Sequence, residues 1–122
     1  MANELELNFS GDLDNGTLDH TFPTETLTIT QGTARLFDNV VPCTTSDTAQ
    51  TFTNVTTLGW CRIKNLDATN YVDIGPTAAA AIVPFMRLKA TETAYLRLTP
   101  GITLRTQANT ATCNVHFTVL ND

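Results

Sequence analysis

Between Leu58 and Pro100 the chain reads LGWCRIKNLDATNYVDIGPTAAAAIVPFMRLKATETAYLRLTP, short runs of alternating apolar and polar residues cut by turn formers. A period of two sends successive side chains to opposite faces, so each run fits a half-buried β-strand. Cys61 and Ile63 alternate with Trp60, Arg62 and Lys64. Met86, Leu88, Leu96 and Leu98 alternate with Arg87, Lys89, Tyr95 and Arg97. The expected product is a ladder of strands whose outward faces carry positive charge.

Composition points the same way. Nearly one residue in five is threonine, whose β-branched side chain is stiff in helices and at ease on a pleated surface. With 122 residues and 42% apolar content, one domain over residues 1–122 can bury a core without metal or disulfide staples. The fold class expected is all-β: an antiparallel β-sandwich or barrel, jelly-roll-like, with an extended N-terminal arm over residues 1–9.

That arm, MANELELNF, sets Leu5, Leu7 and Phe9 against Glu4, Glu6 and Asn8, a strand pattern with an acidic outer side and a possible pairing edge. Asn15-Gly16 offers hairpin turn chemistry, and Thr17 to Phe22 reads as a short strand ended by Pro23. Glu25–Thr30 and Thr33–Val41 flank Gln31-Gly32 as an expected hairpin. Gln50–Thr57 reads as a strand, although Phe52 and Val55 are not two apart. Further strands are expected over Leu58–Leu66, over Tyr71–Ile74 ended by Gly75-Pro76, over Ile102–Thr106 and over Thr112–Leu120. Ala78–Ala81 is too short for a stable helix and suits a loop or a single helical turn. FMRLKATETAYLRLT carries the clearest hairpin signal, two strands flanking Ala90-Thr91-Glu92-Thr93.

The net charge of −5 lacks the basic footprint of a general nucleic-acid binder, so no nucleic acid is expected as partner. Residues 1–57 hold eight acids against Arg35 alone, net −7, and residues 58–122 hold six bases against four acids, net +2. Two complementary halves either face each other within one fold or join one subunit's front to a neighbour's back. Met1–Leu7 has neither the basic start nor the apolar stretch of a secretion signal. The longest apolar run, near Ala78–Met86, is too short to span a membrane, so no membrane partner is expected either. Cys43, Cys61 and Cys113 are odd in number and fit buried thiols in a reducing compartment.

No catalytic, cofactor or metal constellation is expected, and the chain is read as no enzyme. A nucleophile needs a histidine oriented by a third group, and only His20 and His116 exist. His116 falls on the polar side of the last strand. Cys43, Cys61, Cys113 and His116 lack the close paired spacing of a structural zinc site. Asp12-Leu13-Asp14-Asn15-Gly16 misses the order of a calcium loop, and turn chemistry accounts for it. Trp60, Tyr71 and Tyr95, with Arg62 and Arg97, could instead stack on a sugar.

The segment GWCRIKNLDATNYVDIG, followed after a spacer by PFMRLKATETAYLRL, resembles small virion proteins of tailed bacteriophages. There a strand ends in an NLDxTNxVxIG-like turn and strand, followed by a Pro-Phe hairpin rich in Leu, Arg and Lys. The likeness covers Leu58 to Leu98. It implies a small β-sandwich acting as a capsid decoration or cement protein, often a homotrimer, that binds the major capsid protein. The implied location is the capsid surface of the virion, reached from the host cytoplasm during assembly. A head-tail connector or tail component, and a carbohydrate-binding module for host attachment, are the alternatives. Glu4, Glu6, Phe9, Trp60, Arg62, Lys64, Arg87, Lys89, Tyr95 and Arg97 are the candidate interface, with the five cations expected to meet carboxylates of this subunit or a neighbour.

Overall fold

The computed structural model describes residues 4–122, so Met1, Ala2 and Asn3 of the expected arm lie outside the described residues. The chain is all-β, with eleven strands and no helix among the described residues. The described residues divide into two compact units, one running up to Gly32 and the other over Thr33–Asp122.

The first unit is a ribbon. Strands β1 (Glu4–Asn15) and β2 (Leu18–Thr30) pair antiparallel along their whole length around a two-residue turn in which Gly16 takes φ 60°. A positive φ at the first central position matches the twist of the strands, and glycine takes it without strain. Two sequence expectations fail here. Glu25–Thr30 pairs backwards with Glu4–Phe9 rather than forwards with Thr33–Val41, and Pro23 does not end a strand.

Pro23 sits at a bulge, one of the few places a strand accepts a residue with no N–H. Phe9 faces Glu25 and Gly11 faces Phe22, so Pro23 and Thr24 together stand opposite Ser10. The extra residue changes which parity of β2 lies on which face. Leu18, His20 and Phe22 before the bulge share a face with Leu27 and Ile29 after it, paired with Asn15, Leu13, Gly11, Leu7 and Leu5. The opposite face carries Glu4, Glu6, Asn8, Asp12 and Asp14 against Thr30, Thr28, Thr26, Thr21 and Asp19. One face of the ribbon is apolar and the other acidic and threonine-rich. The ribbon holds six acids and no lysine or arginine.

The second unit is a sandwich. Its four-stranded sheet runs β3 (Leu36–Cys43), β11 (Cys113–Asn121), β5 (Leu58–Asn65), β9 (Thr93–Arg97). The other sheet runs β4 (Thr48–Ala49), β10 (Leu104–Ala108), β6 (Val72–Ala78), β7 (Ala81–Ile82), with β8 (Met86–Leu88) also on β6. Every pairing is antiparallel. Inward positions meet in one core: Cys61, Ile63, Val115, Phe117 and Val119 from the first sheet against Val72, Ile74, Leu88 and Leu104 from the second. Phe52 closes one end, its ring 5.3 Å from those of Phe37 and Phe117.

Several local expectations are corrected by this packing. Met86–Leu88 and Thr93–Arg97 form no hairpin, because β8 pairs with β6 in one sheet and β9 with β5 in the other. The Lys89–Glu92 turn is a corner between the sheets, closed by Glu92 N–H donating to Lys89 O at 3.1 Å. Residues 50–57 form a loop that delivers Phe52 to the core, with Asn54 at φ 68°. Ala79 and Ala80, at φ 49° and 61°, form the tight turn of a β6–β7 hairpin instead of a helical turn.

Strand β6 also runs through Gly75-Pro76 instead of stopping there. The returning chain explains this. A Cβ on Gly75 would lie 1.9 Å from Val83 O, so only glycine admits the segment whose Val83 and Phe85 N–H groups bond Pro76 O and Ile74 O.

Candidate functional site

Inward packing of Cys61, Ile63 and Asn65 turns Trp60, Arg62 and Lys64 to the outer face of the four-stranded sheet. Register then sets their neighbours. Arg62 pairs with Tyr95 on β9 and with Thr118 on β11, which pairs in turn with Asp38 on β3. One step along, Thr93, Lys64, His116 and Val40 form the next row, and Arg97 lies opposite Trp60. Cations and aromatic rings thus occupy one half of this face, with Asp38 on the opposite edge.

A polar network crosses the centre of this face. Arg62 Nη1 lies 3.3 Å from His116 Nδ1, and because a guanidinium only donates, Nδ1 accepts and the ring proton sits on Nε2. Nε2 then donates to Asp38 Oδ1 at 2.5 Å, and Thr118 Oγ1 donates to the same oxygen at 2.9 Å. The His116 bond first, and the Thr118 bond second, hold the Asp38 carboxyl below its ordinary pKa. Thr118 spends its proton on the carboxylate and makes no bond to the imidazole, so the group orients charge and activates no nucleophile.

The remaining cations divide. Arg97 pairs with Asp122 at 2.7 Å and stands 5.7 Å above the Trp60 ring. Arg87 belongs to the other sheet, where it makes two bonds to Asp73, at 2.7 and 3.0 Å, and lies 3.8 Å above the Tyr71 ring. Asp73 is the main reason the Arg87 pKa is raised. Arg105 pairs with Asp47 at 2.7 Å, and the other oxygen of Asp47 accepts from Ile82 N–H, tying β10 to β7. Lys64 and Lys89 have no carboxylate within ion-pair distance among the described residues.

Of the ten interface candidates, Trp60, Arg62, Lys64, Tyr95 and Arg97 gather on one face. Arg87 and Lys89 stand apart, on the second sheet and its corner turn. Glu4 and Glu6 share the acidic side of the ribbon while Phe9 lies on its apolar side. Tyr71 is also separated from Trp60 and Tyr95, so these aromatics make no common platform. Sequence reasoning missed Asp38 and the role of His116. The available signal was that both fall in strands at polar-side positions; what joins them is cross-strand register.

The thiols lie in the sandwich interior. Cys43 and Cys113 are register partners, both fully buried, and all three cysteines are free. Burial pushes the Cys61 thiol up to about 12 and raises Cys43 and Cys113 as well. His116, on the other side of β11, is directed away from all three. Between the sheets an apolar cleft of about 300 Å³ opens, lined by Ile74, Phe85, Met86, Leu96, Leu98 and Ile102 among others, with Phe85 80% exposed at its rim.

The fold and this face together define an all-β, antiparallel sandwich with a separate β-ribbon. In comparison with known proteins, no family model, no curated protein and no solved structure matches the chain.

Proposed function

We propose that this protein is a structural component of a virion shell, a decoration or cement protein that binds the major capsid protein as a homo-oligomer. The observation that carries this reading is the outer face of the four-stranded sheet, with Trp60, Arg62, Lys64, Tyr95 and Arg97 in register. A face of four strands and eight residues covers roughly 500 Å² by strand spacing and rise, below the ~800 Å² per partner of a standard interface. Such a contact is weak singly and holds by repetition, which suits a protein bound in many copies to a regular surface. Lys64 supplies attraction to an acidic partner surface, and the Arg62–His116–Asp38 chain fixes the face against rearrangement.

The test is rebinding to purified shells stripped of this chain, followed by copy counting on the particle. Saturation at hundreds of copies supports shell decoration, and failure to rebind overturns it. A dozen copies or fewer would move the protein to a neck or tail position. Binding to a glycan array, abolished by Trp60→Ala, would favour the host-attachment alternative.

A further inference from the structure

A two-stranded ribbon has no second layer of its own, and an isolated hairpin of this kind is at best marginally stable in water. Yet the ribbon of β1 and β2 is patterned as though it had a core. Its bulge at Pro23 and Thr24 keeps the apolar residues of β2 on one face along the full length, and Leu13, Leu18, Phe22 and Leu27 on that face are exposed. We infer that this apolar face packs against the same face of another copy of the chain.

Three observations select that occupant. All of the ribbon's acids except Glu25 avoid the apolar face, so two such faces meet while the acidic sides point away from each other. With six acids and no lysine or arginine, the ribbon repels nucleic acid and anionic lipid surfaces. The face measures roughly 40 Å by 10 Å from strand rise and spacing, so two copies bury roughly 800 Å² of flat area before side-chain relief is counted, close to the ~1,000 Å² that a specific interface clears. The bulge adds shape to the match. Gly11 leaves room for the Phe22 ring, 3.4 Å from where a Cβ would stand, and a shallow depression between Gly11, Phe22 and Glu25 can receive a partner's side chain.

This contact rests on the shell-decoration reading, supplying the means by which copies hold each other, and it is tested in solution without shells. Full-length protein is weighed by light scattering, alone and as Phe22→Asp, Leu27→Glu and Thr28→Glu variants. The expected mass is two chains, since a face packed against its own copy closes by two-fold symmetry. It falls to one chain in Phe22→Asp and Leu27→Glu and is unchanged in Thr28→Glu, which alters the polar face. A Leu13→Cys variant is expected to cross-link to its own kind through a short bis-maleimide, the native thiols being buried.

A wild-type monomer at sub-millimolar concentration overturns the inference, as does an oligomer that both apolar-face variants leave intact. An oligomer that dissociates at about 1 M salt, where charge pairs are screened beyond ~3 Å, shows the ribbon docked on a charged sheet face instead. A monomer whose Leu13→Cys thiol resists alkylation shows the ribbon folded onto its own chain, and also refutes self-association. Shell rebinding by a monomeric Leu27→Glu variant separates this contact from the proposed function, because that result leaves the latter standing.

Discussion

At the scale of single residues, the turn at Ala79-Ala80 is where local preference and fold disagree most plainly. Left-handed backbone costs an L-residue with a Cβ roughly 1–2 kcal/mol, and both alanines adopt it. Replacing the pair by Asn-Gly, the residues that favour a turn with two positive φ angles, is expected to raise stability by about 1 kcal/mol in urea unfolding. No gain would mean that the turn is relaxed differently in solution. The thiols make a second prediction. Cys61, pushed up to about 12, and its two buried companions should resist a thiol reagent at neutral pH in folded protein and all react in denaturant. Rapid reaction of the native protein would show that the core opens.

At the scale of elements, the loops are held by buried amides. Asn65 is fully buried at the end of β5, where its Nδ2 donates to Asn70 O at 2.8 Å and to Leu88 O and Lys89 O at 3.2 Å. Its Oδ1 accepts from Asp67 N–H at 3.0 Å, so one side chain joins the β5–β6 loop to the corner after β8. Asn65→Leu, close in size but unable to bond, should cost about 2–4 kcal/mol by stranding these backbone groups. A loss under ~0.5 kcal/mol, the range of ordinary surface substitutions, would show that water replaces the amide. Strands β5 and β11 were legible in the sequence because Cys61 and Ile63, or Val115, Phe117 and Val119, alternate without interruption. Alternation reports a strand's face and is silent on its partner. For that reason Leu88 and Leu98 were read as two arms of one hairpin, although they enter the same core from opposite sheets. Phe52 was misread because a loop can deliver a core side chain with no period at all.

At the scale of the whole molecule, three carboxylates, Asp38 exposed and Asp47 and Asp67 half-buried, link stability to acid. Asp67 is lowered chiefly by the Asn70 and Thr69 backbone N–H groups, Asp47 by Arg105, and Asp38 by His116. Each has a folded pKa below the ordinary 3.8, so its contribution is fully present above that pH and is lost as pH falls through the folded value. The urea midpoint should therefore hold steady near neutrality and drop below about pH 4, with Asp67→Ala less stable at neutral pH and converging with wild type in acid. Parallel curves for the two proteins would rule Asp67 out as a source of the acid response. The charge asymmetry of the chain was legible from counting, and it resolves into a ribbon of six acids without a lysine or arginine. The gathering of Trp60, Arg62, Lys64, Tyr95 and Arg97 was partly legible, through their shared parity on β5 and on β9. The Asp38–His116 link was not, since residues 78 positions apart meet only through register.

The bulge in the ribbon behaves as a phase shift inserted into a periodic signal. Upstream, the apolar beat of β2 falls on even numbers, at Leu18 and Phe22; downstream it falls on odd ones, at Leu27 and Ile29. With Thr24 kept but the pairing forced to be regular, the two halves would fall out of step and Leu27 and Ile29 would turn to the acidic side. Deleting Thr24 would remove the bulge and leave the stripe in step. The bulge, by absorbing one extra residue, thus decides whether the chain owns one continuous adhesive stripe or two half-stripes facing opposite ways.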